Sequence, residues 1–326
     1  MNIAAIDIHS SGLELATGSR DYSVKIWDIT TSQCKQSYSA SRNVVTSLIY
    51  ASNSDSNANG NSNSNISHSH LLYQGGEDLS VRGWDTRSSN SKPALHMKDY
   101  IYFPTCISTL PSDCNYFSTG CKGFNSTGCE VKVWDIRKTD KAILVFNGHT
   151  HDVNDCIYLN QSHSTSSSSS SSSAHSPSYS AELLHCILSC SKDGSIALWD
   201  TRTNEKVAWL SGSSRHFTSI ALLPSTSVST NTSSSDNKEP NGSSVSTTAT
   251  ASASAMNSVN FMVGAYDGSL TYCILSPSNT NTNTNTNANI NANMKSNPGL
   301  DMDMDSNLKY CITIQHSTSH YEYTPN

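Results

Sequence analysis

Three side chains of the kinds that build a hydrolytic triad fall in one part of this chain: Ser189, His149 and Asp193, able in principle to supply nucleophile, base and orienting carboxylate. The serine lacks the Gly-x-Ser-x-Gly elbow that lifts a nucleophile clear of its strand, and Trp199 follows it. With the indole included, a different chemistry fits. A buried turn Asp accepts hydrogen bonds from His and from backbone N–H groups, Ser orients the His, and Ser also meets the indole N–H, so each polar group has a partner. His149, Ser189, Asp193 and Trp199 are therefore expected to form a structural tetrad with no catalytic role. No Gly-rich phosphate loop, metal triad or paired-carboxylate geometry points to an enzyme or to a cofactor.

The other reactive residue type is cysteine, of which there are ten. Cys106, Cys114, Cys121 and Cys129 are separated by seven, six and seven residues, and no Cys-x-x-Cys pair exists, so no metal site is expected. Cys156, Cys186, Cys190 and Cys311 lie in strand-like runs, where a thiol packs as a small hydrophobe. The net charge is −6, and the 20 Lys and Arg are scattered without a basic stripe, which argues against nucleic acid as a partner. No apolar run approaches the ~20 residues of a membrane span and no charged leader precedes an apolar segment, so membrane insertion is not expected. The chain reads as soluble and cytoplasmic, with reduced thiols.

What must position these residues is a repeat. Trp27-Asp28, Trp84-Asp85, Trp134-Asp135 and Trp199-Asp200 each close a short β-rich run. Asp21, Asp78 and Asp193 precede their Trp by six residues. A fifth unit keeps Asp267 but has Cys273 in place of Trp, and the third has Gly128 where the turn Asp should stand. This recurrence is the signature of a WD40 β-propeller. The fold class is all-β, with about five four-stranded blades over residues 1–40, 41–98, 99–147, 148–212 and 213–316. Strands are expected at Ile3–Ile8, Glu14–Ser19, Ser23–Asp28 and Cys34–Tyr38 in the first unit. In the second they are Val44–Tyr50, Leu71–Gly75, Ser80–Asp85 and Ala94–Lys98; in the fourth, Val153–Leu159, Leu183–Ser191, Ser195–Asp200 and Lys206–Leu210. The fifth has Phe217–Leu223, Asn260–Ala265, Ser269–Leu275 and Leu308–Gln315. Segments 52–70, 161–180, 224–258 and 277–306 are rich in Ser, Asn and Thr, and are expected to be disordered inserts.

In an antiparallel meander the first-to-second and third-to-fourth connections share one end of a blade. All four inserts then hang from that end. The other end keeps short turns except in the third unit, where Gly120 to Gly128 makes a longer loop. Lys122, Phe124 and Asn125 on this loop form a candidate interaction site, with Phe124 either folded back as a cap or exposed as an aromatic anchor. Asn125-Ser126-Thr127 matches a glycosylation sequon that a cytosolic chain would not use. Only the fourth unit carries a complete tetrad. Thr17, Asp21 and Trp27 fit part of it in the first, Gln74 takes the Ser position in the second, and His216 lies near the His position in the fifth.

Across its non-repetitive length the sequence resembles the WD40-repeat propeller family. More narrowly, Ser41 to Thr46, Tyr73 to Arg82 and the run from Gly120 to Arg137 resemble the WD repeat-containing protein 31 family. That resemblance implies a seven-bladed, non-catalytic protein–protein interaction scaffold associated with cilia, with small-GTPase regulators or ciliary transport complexes as partners, at the cilium or its base. The inserts have no counterpart there, and Met1 coincides with the start of that family's third blade. The resemblance thus implies two blades ahead of it; the alternative is a five-bladed ring with unlinked ends. A different function is suggested by Trp-Asp-x-Arg, ending at Arg87, Arg137 and Arg202, which resembles the adaptor-docking box of cullin–RING ubiquitin-ligase substrate receptors.

Overall fold

A computed structural model describes residues 2–39, 44–51, 70–88, 92–159, 183–223, 258–278 and 308–317. These form five sheets of four antiparallel strands, each a simple meander. The first blade contains β1 (Ile3–Ile8), β2 (Glu14–Ser19), β3 (Val24–Asp28) and β4 (Cys34–Tyr38), and the second β5 (Val45–Tyr50), β6 (Leu71–Gly76), β7 (Ser80–Asp85) and β8 (Leu95–Met97). The third is β9 (Pro104–Thr109), β10 (Tyr116–Cys121), β11 (Val131–Asp135) and β12 (Leu144–Phe146). The fourth is β13 (Val153–Tyr158), β14 (Cys186–Ser191), β15 (Ile196–Asp200) and β16 (Glu205–Leu210); the fifth is β17 (Phe217–Leu222), β18 (Val259–Ala265), β19 (Leu270–Pro277) and β20 (Tyr310–Ser317). This is the architecture of a WD40 β-propeller.

Most strand limits differ from the sequence reading by a residue or two. The larger departure is at Leu183–His185, a 3-10 turn that delivers the chain into β14 at Cys186 and is not part of the strand. In the fifth blade β20 begins at Tyr310, and β19 and β20 each end two residues later than expected, since their pairing extends to Pro277–Tyr310 and Thr271–Ser317. The Ser/Asn/Thr inserts lie almost wholly outside the described residues.

The core sits between blades. The first strands pack in succession, β1 on β5, β5 on β9, β9 on β13 and β13 on β17. Ala16, Val24 and Ile26 of the first blade meet Val45, Leu48 and Tyr50 of the second. The Trp of one blade stacks on the end of the blade before it: Tyr38 on Trp84 at 4.7 Å and Phe146 on Trp199 at 5.3 Å. Each fully buried aliphatic or aromatic side chain contributes about 1.5–3 kcal/mol, so the blade interfaces carry most of the stability.

Polar side chains tie the same interfaces. In β5, β9 and β13 the residue in second position donates to the first carbonyl of the next inner strand: Thr46 Oγ1 to Pro104 O at 2.6 Å, Thr105 Oγ1 to Val153 O, and Asn154 Nδ2 to Phe217 O at 2.6 Å. Carboxylates add further ties, with Asp7 accepting from Tyr50 N at 2.7 Å and Asp155 from Ile220 N at 2.8 Å.

Candidate functional site

In the fourth blade the four tetrad residues meet, with one further member. Trp199 Nε1 donates to Ser189 Oγ at 2.8 Å, and Ser189 Oγ lies 2.8 Å from His149 Nε2. His149 Nδ1 is 2.7 Å from Ser195 Oγ, which in turn donates to Asp193 Oδ1. His149 Nδ1 stands 3.7 Å from Asp193 Oδ2, too far for a hydrogen bond, so Ser195 relays the contact. The donors fix the tautomer. Ser195 spends its proton on Asp193 and must accept from His149 Nδ1–H; Ser189, accepting the indole proton, donates to Nε2.

Asp193 closes the turn as well, accepting from Ser195 N at 2.9 Å and Thr150 N at 2.6 Å. Burial pushes its carboxyl up, but the contact with His149, the Ser195 hydroxyl and the Thr150 N–H outweigh that and hold it well below the ordinary carboxylate range. Ser189 is fully buried beneath the indole, with its hydroxyl spent on His149. No substrate carbonyl can reach it, so the trio does not act as a nucleophilic triad.

The other blades solve the same problem with different residues. Trp27 donates to Thr17 Oγ1 and Trp84 to Gln74 Oε1, both at 2.8 Å. In the third blade Trp134 donates to Thr119 Oγ1 at 3.2 Å, and Tyr100 OH meets the same oxygen at 3.2 Å. Tyr100 precedes β9 by four residues, just as His149 precedes β13, and so takes the histidine's place. His216 does not take that place in the fifth blade: it directly precedes β17, and its Nδ1 turns to Lys192 O. Sequence reasoning also missed a cation two residues before the Trp. Arg82 forks onto the Asp78 carboxylate. Lys132, buried, reaches Asp99 O and Glu130 at 3.3 Å and lies over the Tyr100 ring, while Lys25 lies over Trp27. Where His149 fills the space, the position is Ala197. The Val-Lys-Ile-Trp, Val-Arg-Gly-Trp and Val-Lys-Val-Trp runs were the available signal.

The aspartates of the Trp-Asp pairs are taken up by the turn that follows. Asp28 accepts from Thr30 N at 2.9 Å and Thr31 N at 3.0 Å. Arg87, Arg137 and Arg202 fold back on Asp85, Asp135 and Asp200, with Nη2–Oδ2 distances of 2.8, 2.8 and 3.4 Å. Each guanidinium therefore begins engaged inside its own blade.

At the end of the blades that bears the β2–β3, β6–β7, β10–β11, β14–β15 and β18–β19 connections, the picture is different. The third-blade loop is a tight hairpin: Phe124 and Thr127 exchange backbone hydrogen bonds at 3.0 Å around Asn125 and Ser126, both at positive φ (49° and 61°). Gly128 has φ 76°, and a Cβ there would lie 2.3 Å from the Tyr102 ring, which makes glycine obligatory. Gly123 N donates to Asp152 Oδ1 at 3.0 Å and Ser126 N to Thr150 O at 3.1 Å, pinning the loop to the fourth blade. Phe124 nevertheless remains 60 % exposed, its ring meeting that of His151 edge-on at 5.5 Å between centroids. Lys122 lies over Phe103 at 4.9 Å and Asn125 is exposed.

Two neighbouring turns share this habit. Gly194 and Gly268 follow the turn Asp in the fourth and fifth blades with φ 78° and 79°; the same place in the first and second is held by Tyr22 and Leu79, at φ 73° and 60°. Bulky L-residues are strained there, yet both side chains stand exposed. Successive blades thus present Tyr22, Leu79 and Phe124 at one end.

No family model matches the chain. It is 29% identical over 155 residues to the nuclear distribution protein PAC1 of Arthroderma benhamiae, an alignment covering 43% of this chain and 30% of that protein. It is 26% identical over 235 residues to a CCR4-associated factor 4 homolog of Vanderwaltozyma polyspora, covering 67% and 32%. To the methylosome protein WDR77 of Xenopus laevis it is 23% identical over 140 residues, covering 43% and 36%. The matched part is about a third of each of these curated relatives. They are WD40-repeat proteins, and at this low identity they support the WD40 family for the chain.

Proposed function

We propose that this chain, built as a WD40 propeller fold and resembling repeat proteins that serve generally as non-catalytic interaction scaffolds, holds a protein partner on the end of its blades that presents Tyr22, Leu79 and Phe124. The observation that carries the proposal is Phe124, an aromatic kept exposed on a loop pinned by glycines and cross-blade hydrogen bonds. Ordering entropy at such an anchor is spent in folding and not in binding, which favours a contact hot spot. Lys122 and Asn125 flank it with polar groups suited to a rim.

The names of two relatives, a methylosome protein and a CCR4-associated factor homolog, attach them to larger assemblies, in keeping with a scaffold. The finer reading rests on the resemblance to the WD repeat-containing protein 31 family: partners among small-GTPase regulators or ciliary transport complexes, in the cytoplasm at the cilium or its base. The cullin-adaptor reading receives less support, because Arg87, Arg137 and Arg202 would first have to leave their aspartates.

The test is partner recovery from the protein's own cells with a C-terminal tag. Lys122→Ala with Phe124→Ala should deplete the partner set, and deletion of 161–180 should leave it intact. The reverse pattern would refute the assignment of the face. Recovery of a cullin adaptor that depends on Arg87 would replace the function.

A further inference from the structure

At two of the blade interfaces the third residue of an inner strand reaches the fourth residue of the next. Between β13 and β17 the contact is a carboxylate on a backbone amide, with Asp155 Oδ2 accepting from Ile220 N at 2.8 Å. Between β9 and β13 the same two positions hold Cys106 and Cys156, and the sulfurs stand 3.5 Å apart with Cys106 as donor. Elsewhere the third place is Ala5, Ser47, Asp155 or Ser219, and the fourth is Ile6, Leu48, Ile107 or Ile220. Among these inner strands a thiol at the third place therefore meets a thiol at the fourth at this interface alone.

The surroundings hold the two sulfurs together. Gly120 lies opposite Cys106 in the β9–β10 register, and a Cβ there would come within 2.6 Å of Cys106 Sγ, so the sulfur fills space that only glycine leaves. Ser118 Oγ lies 3.7 Å from Cys156 Sγ. Thr105 Oγ1 bonds both Gly120 O within the blade and Val153 O across the interface, which fixes the strands that carry the two cysteines. Donation to Cys156 and burial push the Cys106 thiol well above its ordinary value, so Cys106 rests as a thiol. Cys106 is 8 % exposed and Cys156 1 %, whereas Cys34 is open to solvent. Burial of this degree excludes bulky thiol reagents from the pair and leaves an oxidant of nearly water's size, such as hydrogen peroxide.

We propose that Cys106 and Cys156 are an oxidative modification site, a dithiol that hydrogen peroxide converts to a disulfide joining β9 to β13. One sulfur of the pair, as its thiolate, attacks a peroxide oxygen. The O–O bond breaks, the departing hydroxide takes up the proton that the thiol gave up and becomes water, and the sulfur is left as a sulfenic acid. The other sulfur then attacks it, the S–O bond breaks, and the oxygen leaves as water with the proton of the second thiol. The two thiols lose two electrons and one peroxide is reduced to two waters. A partner sulfur already at 3.5 Å closes the bond ahead of a second peroxide, which keeps the site off the path to sulfinic acid. The link joins the same two blades that Gly123 N and Ser126 N tie through Asp152 and Thr150.

The test treats the native, fully reduced chain with hydrogen peroxide, blocks the remaining thiols with N-ethylmaleimide, digests without reductant and sequences the peptides by mass spectrometry. The expected result is a peptide pair linked through Cys106 and Cys156, lost on treatment with dithiothreitol and absent from Cys156→Ser. Oxidised glutathione, in a parallel sample, should modify Cys34 and leave Cys106 and Cys156 as thiols. Recovery of both as free thiols while Cys34 is oxidised would overturn the proposal, as would sulfinic acid at either or a link from Cys106 to another cysteine. So would a Cys106–Cys156 link that forms only after unfolding in urea, or a glutathione adduct on either residue. Should Cys156→Ser fail to fold, the map of the unsubstituted chain decides by itself.

Discussion

Replacing Asp193 with Ala removes the one carboxylate shared by four donors: Ser195 N, Ser195 Oγ, Thr150 N and Thr150 Oγ1. Thr150 is exposed and can turn to water, but Ser195 is buried and its two groups cannot. A buried donor left without a partner costs about 1–3 kcal/mol. The hydroxyl can recover part of this by donating to His149 once the imidazole changes tautomer, which would then strand Ser189. Relaxation of this kind brings the expected loss to about 2–4 kcal/mol for the whole network. In a thermal melt this is a fall of roughly 2–4 °C for each kcal/mol in a domain of this size. The comparison is Asp21→Ala, whose exposed carboxylate accepts from Ser23 N and Oγ and should cost a small fraction of that. The pH dependence has a definite sign. The folded carboxyl of Asp193 titrates below its ordinary value of 3.8, so its contribution is complete above that pH and is lost as the pH falls below it toward the depressed folded value. Asp193→Asn should flatten the acid limb of stability against pH. An Asp193→Ala melt that matches Asp21→Ala, or an acid limb untouched by Asp193→Asn, would refute the relay through Ser195.

The two kinds of arginine should separate in the same melts. Arg82→Ala strands the half-buried Asp78 carboxylate and should cost about 3 kcal/mol, whereas Arg87→Ala, removing an exposed guanidinium, should leave the transition where it is. Tyr22→Gly and Leu79→Gly relieve a left-handed backbone and should each stabilise the fold by about 0.5–1 kcal/mol while reducing partner recovery. A gain in stability with recovery unchanged would separate the strain from binding.

The blade framework was readable because Trp-Asp and the turn Asp mark fixed points on every sheet, and the strand limits then follow from alternation. The partners of the Trp were only half readable. Ser189 and Thr17 lie on the strand beside it and can be counted, but Tyr100 reaches Thr119 from the connection before β9, and its equivalence to His149 emerges only once the inner strands are aligned. His216 misled for that reason: it stands one residue before its strand, where His149 and Tyr100 stand four before theirs. Arg82 and Lys132 were in plain view two residues before Trp84 and Trp134. A basic residue in a strand reads as solvent-facing, and nothing in a strand's alternation says that Asp78 or Glu130 waits to neutralise it.

The polar residues of this chain divide by what they are tied to. His149, Ser189, Ser195 and Asp193 saturate one another, Arg82 is matched by Asp78, and the Trp-Asp carboxylates close the turns that follow them. Groups so matched are engaged with one another, and their use is to hold backbone turns in one geometry. That rigidity is what permits Tyr22 and Leu79 to sit at backbone angles their side chains oppose, and Phe124 to stay out of the core. The blade therefore spends its chemistry on posture, and recognition falls to apolar groups at the turn tips, where the cost of order has already been met.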